Sequence, residues 1–435
     1  MKALVIGSGG REHAIVWALK RTSNLPLDLY CAPGNAGISQ LAKCVSISSG
    51  DHKSLIEFVQ TNGIDVTIVG PEGPLAEGIV DEFVRHGLKI IGPDRAASRL
   101  ESSKSFAKSF MRRHQIPTAE YCVANSADEA LAALRSGKFG APDSPVVVKA
   151  DGLAAGKGVI VAPSHKVAER AIADLATGTL VAAEAAKQLL IEEALEGREV
   201  SILLFADGRD YALMPPARDH KRIGENDTGP NTGGMGAITD HSVLDKTTLD
   251  RIVRDVVEPT LQGASEEGFP FHGVLFVGLM LTAAGPKVLE YNVRFGDPET
   301  QAILIRLKSD LLSIFQATIE GNLSDVKVEW SDQSSACVVL ASAGYPGAYE
   351  TGVSINGLDQ VLTNNDLQVF HAGTSKGAGG SFVTSGGRVL GVTAAEATLE
   401  RALANCYGAI DRIEWQGMQF RRDIGRFGEG LKANN

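Results

Sequence analysis

Over the first hundred positions, short and nearly continuous apolar runs alternate with amphipathic stretches. Residues 2–7, 28–32, 65–69 and 89–91 read as strands, and residues 11–21, 55–60 and 75–85 as helices. Strands that are apolar on both faces and separated by helices predict a parallel sheet covered on both sides. Glycine-rich breaks follow these strands: Gly7-Ser8-Gly9-Gly10, Pro33-Gly34-Asn35-Ala36-Gly37 and Gly70-Pro71-Glu72-Gly73-Pro74. In open α/β sheets, ligands bind outside such carboxyl ends.

The pattern changes near residue 103. A basic helix spans 103–113, followed by strands at 145–150, 159–162 and 188–194 and a helix at 166–176. Residues 219–237 are polar, and their glycines and Pro230 predict a long loop with no regular element, the kind that is functional or disordered. Residues 325–333 suit a linker. Beyond them, short β-rich runs at 336–341, 368–371 and 388–393 and one helical pattern at 396–412 predict a small α+β domain. The predicted class is therefore α/β in three parts: residues 1–102 around a Rossmann-like parallel sheet, a mixed unit at 103–324, and residues 334–435.

Bulk composition narrows the function. The chain has 435 residues, enough for two to four domains at about 100–200 residues each. Its net charge of −10 argues against a general nucleic-acid or membrane-surface binder, which needs a positive footprint. Five dispersed cysteines without a CxxC pair read as free thiols in a reducing compartment. No apolar run approaches a membrane span, and the N-terminal run is too short for a signal peptide. A cytoplasmic location is expected.

The stretch Glu290-Tyr291-Asn292-Val293-Arg294 carries the sharpest chemistry. Positions two apart on a strand face the same way. Glu290 and Asn292 would thus present two hard oxygens, enough for Mg²⁺ that takes its other ligands from phosphate and water. Arg294 would extend the same face if the strand continues. Lys149 leaves a strand into Asp151-Gly152-Leu153-Ala154-Ala155-Gly156-Lys157-Gly158, a glycine loop able to close over phosphates but lacking the Walker order. Gly7-Ser8-Gly9-Gly10 opens a helix, where backbone N–H groups favour an anion. Glu12 breaks the G-x-G-x-x-G spacing, so nicotinamide binding is disfavoured. Glu192 and Glu193 close a strand, with Ala194, Leu195 and Glu199 after it, a hinge able to read an adenine edge and ribose hydroxyls. Asp219-His220-Lys221-Arg222 gathers donors and an acid; a solvated face would look the same.

Together these segments resemble the glycinamide ribonucleotide synthetase (phosphoribosylamine–glycine ligase) family of the ATP-grasp superfamily. The resemblance is carried by residues 7–13, 33–37, 70–74, 149–158, 219–221, 231–236 and 294–301, and runs from Met1 to about Ile424. Arg218 stands where the family more often has Gln, and residues 182–188 lack the glycines usual before the hinge strand. The resemblance implies a pre-ATP-grasp N-terminal domain, a central ATP-grasp domain with a lid at about 121–195, and a single-function chain, a monomer rather than an obligate oligomer. It implies ATP- and Mg²⁺-dependent ligation of glycine to 5-phosphoribosylamine through a glycyl phosphate, with Mn²⁺ as an alternative metal. Lys104 and Lys149 would hold ATP phosphates under the loop of Gly152, Gly156, Lys157 and Gly158. Glu192, Ala194 and Leu195 would read adenine, and Glu199 the ribose. Glu290 and Asn292 would hold the metal. Arg294, Lys149, Asp219, His220 and Lys221 would serve catalysis. Gly9, Gly10, Asn35, Glu72, Gly73, Asn231, Gly233, Gly234, Arg294 and Asp297 would hold substrate.

Three rivals remain at this level. A different ATP-grasp ligase would share the hinge and metal residues, and the N-terminal turns with residues 294–301 would separate it. A nicotinamide oxidoreductase would need the missing fingerprint. A silent nucleotide-binding regulator would have no need of Lys149, Glu290 and Asn292 together.

Overall fold

Leu4, Val5 and Ile6 are wholly buried at the centre of a five-stranded parallel sheet. Its order is Lys43–Cys44, Asp28–Pro33, Lys2–Gly7, Val66–Val69, Ile90–Ile91. The computed structural model describes residues 1–154, 158–179, 181 and 183–426. Helix Gly10–Thr22 follows the first strand directly. Helix His52–Asn62 starts where the Asp51 carboxylate accepts the Ser54 N–H at 3.1 Å, and stops at Gly63 in the left-handed region, φ 60°. The helix expected at 75–85 is two short ones, Glu72–Glu77 and Ile79–Arg85, because Gly78 takes φ 92° between them.

A nine-stranded sheet forms the second body. Its main path runs Gly285–Asn292, His272–Thr282, Arg198–Asp207, Ala217–Asp219, Gly236–Thr239, Ser334–Ala341, Arg388–Glu396, Leu367–His371, with Tyr211–Leu213 attached to Arg198–Asp207. The strand Arg198–Asp207 alternates between two cores: Val200, Ile202 and Leu204 pack on one side, Leu203 and Phe205 on the other. The sheet passes from the central region into the C-terminal one without interruption, since Gly236 pairs with Val338 and Ile238 with Ala336. Helix Leu399–Ile410, N-capped by Thr398, covers this end.

The third body is a separate antiparallel sheet, Tyr121–Ala124, Leu189–Glu193, Val146–Ala150, Val159–Ala162, with helices Ala127–Arg135 and His165–Ala176 on its own small core. Residues 219–237 depart from the loop expected of them. They hold the end of one strand, a hairpin of Arg222–Gly224 with Thr228–Asn231, and the start of another strand. Asn226 and Asp227, both at positive φ, make the hairpin turn, and long-range strand partners supply bonds that glycine-rich sequence does not advertise.

Candidate active site

A cleft of about 740 Å³ opens where the three bodies meet, and its floor is the strand Gly285–Asn292. The register of this strand slips: Gly278 pairs with Glu290, but Leu279 pairs with Val288. Leu289 is the extra residue of a bulge, which re-aims the side chains beyond it. Val288 and Tyr291 are buried in the core; Leu289, Glu290 and Asn292 line the cleft, as does Tyr291. The freed Leu289 carbonyl accepts from Lys149 Nζ at 3.1 Å. The expected pairing of Glu290 with Asn292 on one face is present.

Cations converge on Glu290. Lys221 Nζ lies 3.7 Å from Glu290 and 3.2 Å from Glu199. Desolvation pushes the Glu290 carboxyl up, but Lys221, Lys149 and Lys104 hold it below its usual value. Desolvation opposes the Lys221 charge, yet Glu199, Asp219 and Glu290 lift its pKa well above the lysine range. Lys104 is lowered by burial, partly offset by Glu290; its Nζ donates to the Gly152 carbonyl at 3.0 Å. An ionised carboxylate beside one amide oxygen suits a cation that completes its shell with phosphate and water. Among the described residues no cluster of three or more His, Cys, Asp or Glu makes a self-sufficient metal cage.

The other end of the cleft is an apolar slot walled by Met111, Ala119, Val147, Leu195, Met280 and Leu289. Ala194, just past the strand Leu189–Glu193, stands at its rim with Leu195. Glu192 is buried, 3.0 Å from Lys149 Nζ.

Several expected ligands have other partners. The strand ends at Asn292, so Arg294 is not on it. Its guanidinium lines the cleft, donates to Asn292 Oδ1 at 3.0 Å and pairs with Glu101 at 3.0 Å and Glu72 at 3.5 Å, while its buried Nε makes no hydrogen bond among the described residues. Asn35 lies off the cleft: it donates to Ser8 O and His371 O and accepts from Gly37 N and Ile38 N. All four of its hydrogen-bonding positions are filled by the protein. His220 is buried behind the cleft, where Nε2 accepts the Gly425 N–H at 3.0 Å, so acid–base work at the substrate is out of its reach. The Gly9 N–H is taken by the Glu12 carboxylate, which fills the turn so closely that a Cβ on Gly70 would sit 2.0 Å from it. Glu12, the residue that breaks the dinucleotide spacing, therefore supplies the anion itself. Gly10 packs against Gln301, Gly234 turns at φ 110° against Pro298, and Gly73 lies within the helix Glu72–Glu77. Gly152 gives its N–H to Ala185 O at 3.0 Å, at a contact too close for a side chain. Gly158, Glu72, Asn231, Gly233, Asp219 and Asp297 do line the cleft. Gly156 and Lys157 lie outside the described residues.

Residues the motifs did not single out complete the site. Arg388 reaches in from the C-terminal sheet to Asp297 Oδ2 at 3.1 Å and donates to the Gly233 carbonyl. Glu299 opens the helix Glu299–Leu304, and burial, reinforced by the Asp219 charge, raises its pKa to about 8. Lys108 sits four residues after Lys104 on one helix. That i, i+4 spacing was a signal available in sequence; Arg388 had none.

The chain matches three models of one family. Residues 1–101 match the phosphoribosylglycinamide synthetase N domain, 102–300 its ATP-grasp (A) domain and 335–427 its C domain. It is 47% identical to the phosphoribosylamine–glycine ligase of Caldanaerobacter subterraneus, over 98% of this chain and 99% of that one. It is 46% identical to the Vibrio cholerae ligase, over 98% of each. The crystal structure of the Thermotoga maritima phosphoribosylamine–glycine ligase superposes with a TM-score of 0.82 at 32% identity, over 97% of this chain and all of that one. A biotin carboxylase complex from Campylobacter jejuni shares the fold alone, with a TM-score of 0.72 at 16% identity, over 96% of this chain and 92% of that one. The chain belongs to the phosphoribosylglycinamide synthetase family, and its reaction is the ATP-dependent ligation of glycine to phosphoribosylamine in purine biosynthesis.

Proposed function

We propose that the reaction runs through a glycyl phosphate, with the triphosphate laid along the floor strand. The base occupies the apolar slot beside Glu192, Ala194 and Leu195, and Glu199 faces the ribose. Lys104 and Lys149 bind the phosphates, and the loop bearing Gly158 excludes water from a hydrolysable acyl phosphate. Glu290 and Asn292 would hold Mg²⁺, or Mn²⁺ by the same oxygens; when bound, the metal offsets charge on the transferring phosphoryl group. Lys221 carries a firm positive charge beside Glu290 and stabilises the same developing charge. Arg294 acts as a brace that fixes Asn292 against Glu101 and Glu72. Glu72, Asn231, Gly233 and Asp297 border the opposite side of the cleft, where phosphoribosylamine enters.

In the first step a glycine carboxylate oxygen attacks the γ-phosphorus and the bond to ADP breaks. In the second the amine of phosphoribosylamine attacks the acyl carbon, loses a proton and expels phosphate. The observation that carries this reading is the convergence of Lys104, Lys149 and Lys221 on Glu290 at one end of an apolar slot. Glycine labelled with ¹⁸O in its carboxylate tests it: one labelled oxygen should appear in the released phosphate, and unlabelled phosphate would refute the acyl phosphate.

We read the enzyme as a cytoplasmic monomer working on small molecules. Its acidic net charge and five free thiols support the location.

A further inference from the structure

Lys108 is 2% exposed, an unusual burial for a lysine, and its position is explained by Glu192. Its Nζ lies 3.0 Å from Glu192 Oε2 and donates to Thr118 Oγ1 at 2.7 Å. Lys149 Nζ lies 3.0 Å from the same Oε2. One carboxylate oxygen therefore takes both ammonium groups. The other, Oε1, is buried and has no hydrogen-bond partner among the described residues. An unsatisfied buried acceptor is costly, and in a cleft a donor that arrives with a ligand can satisfy it. Lys108, Glu192 and the apolar residues Met111, Ala119 and Val147 border the same end of the cleft. Burial draws the Lys108 pKa down to about 8, with Glu192 opposing that fall.

We propose that Lys108 is a specificity-determining positioning residue: by clamping Glu192 Oε2 it presents Oε1 as a lone acceptor to the nucleobase, so that a base with an exocyclic amino group is taken and one with a carbonyl there is refused. The inference rests on the reading of Glu192 as a residue that faces the base. An amino N–H would complete a charge-assisted bond to Oε1. A carbonyl would set two acceptors against each other. With Lys108 gone, Glu192 keeps one of its two cations and can rotate, so Oε1 is no longer held toward the base and the refusal weakens.

The test compares ATP with GTP as phosphoryl donor under saturating glycine and phosphoribosylamine. A site built to bond a base donor should favour ATP in kcat/KM by about 10³-fold or more, and Lys108→Met should cut that ratio by about tenfold or more. The loss should fall on KM for ATP, leave KM for glycine unchanged, and be restored by Lys108→Arg. A residue that only braced the fold would weaken both nucleotides alike, and a folded Lys108→Met enzyme with the original ratio overturns the proposal. Should Lys108→Met not fold, the Lys108→Met, Glu192→Leu double variant removes both buried charges; its ratio should match that of Glu192→Leu alone. Glu192→Leu also separates the two readings. If it loses the preference while Lys108→Met keeps it, only the role of Lys108 falls; if it keeps the preference, the reading of Glu192 falls with it.

Discussion

Arg294 Nη2 lies 3.0 Å from Glu101 Oε1, and the second oxygen of Glu101 accepts the Val293 N–H at 2.8 Å. One buried carboxylate from the helix Arg99–Ser102 thus holds the chain just past Asn292. Removing Glu101 leaves Arg294 with Glu72 at 3.5 Å but the Val293 N–H without its acceptor, a loss of about 1–3 kcal/mol. Glu101→Ala should lose stability on that scale, measured by urea denaturation. Glu101→Gln should lose less, because an amide oxygen still accepts from Val293. Equal stability of Glu101→Ala and the parent would refute the brace.

Glu290→Gln should keep the fold, because Lys221 retains Glu199 and Asp219 as counter-charges. Turnover should fall by about 10²-fold or more, since several kcal/mol of charge stabilisation depend on a metal ligand. A magnesium titration of the rate should show weaker dependence on the metal. Parent-like turnover across that titration would remove Glu290 from the metal site.

Glu299 makes stability depend on pH in a defined direction. Its folded pKa, about 8, stands above the ordinary 4.5 because of burial and then of Asp219. Between those values the folded state holds a proton that the unfolded state has released, so this group's contribution falls as pH rises from 4.5 to 8 and is level above. Asp219, raised first by burial, acts in the same sense. Glu299→Gln is neutral throughout and should show a flatter stability profile over that window. Denaturation midpoints at pH 5.5 and pH 8 that shift as much in the variant as in the parent would contradict the assignment.

Asn35→Ala should cost about 1–3 kcal/mol in denaturation, as buried partners lose their bonds, with KM for phosphoribosylamine unaltered. Its tie to His371 O joins the first domain to the C-terminal sheet, and no cleft contact depends on it. A raised KM at unchanged stability would return Asn35 to the substrate site.

Much of the site was legible locally. Glu290 and Asn292 share a face because two residues on a strand always do, and Lys149 ends a strand whose apolar run is plain in the chain. The glycine-rich turns were correctly located but their partners were not. Glu12, Ala185 and Gln301 occupy the space that bare sequence offers to a ligand. The polar stretch 219–237 was misread because its strands owe their order to neighbours such as Val338, more than a hundred residues away.

Periodicity and motif spacing, properties of neighbours along the chain, determined the parallel N-terminal sheet, the strand that carries Lys149 into the cleft and the paired oxygens at 290 and 292. Tertiary structure alone decided that Leu289 bulges, that Arg294 is held by Glu101 and Glu72, that His220 turns away, and that Arg388 joins the cleft. The physical reason is that each of these depends on a strand register or a buried charge pair set by residues distant in sequence, and no local pattern encodes which distant side chain will arrive.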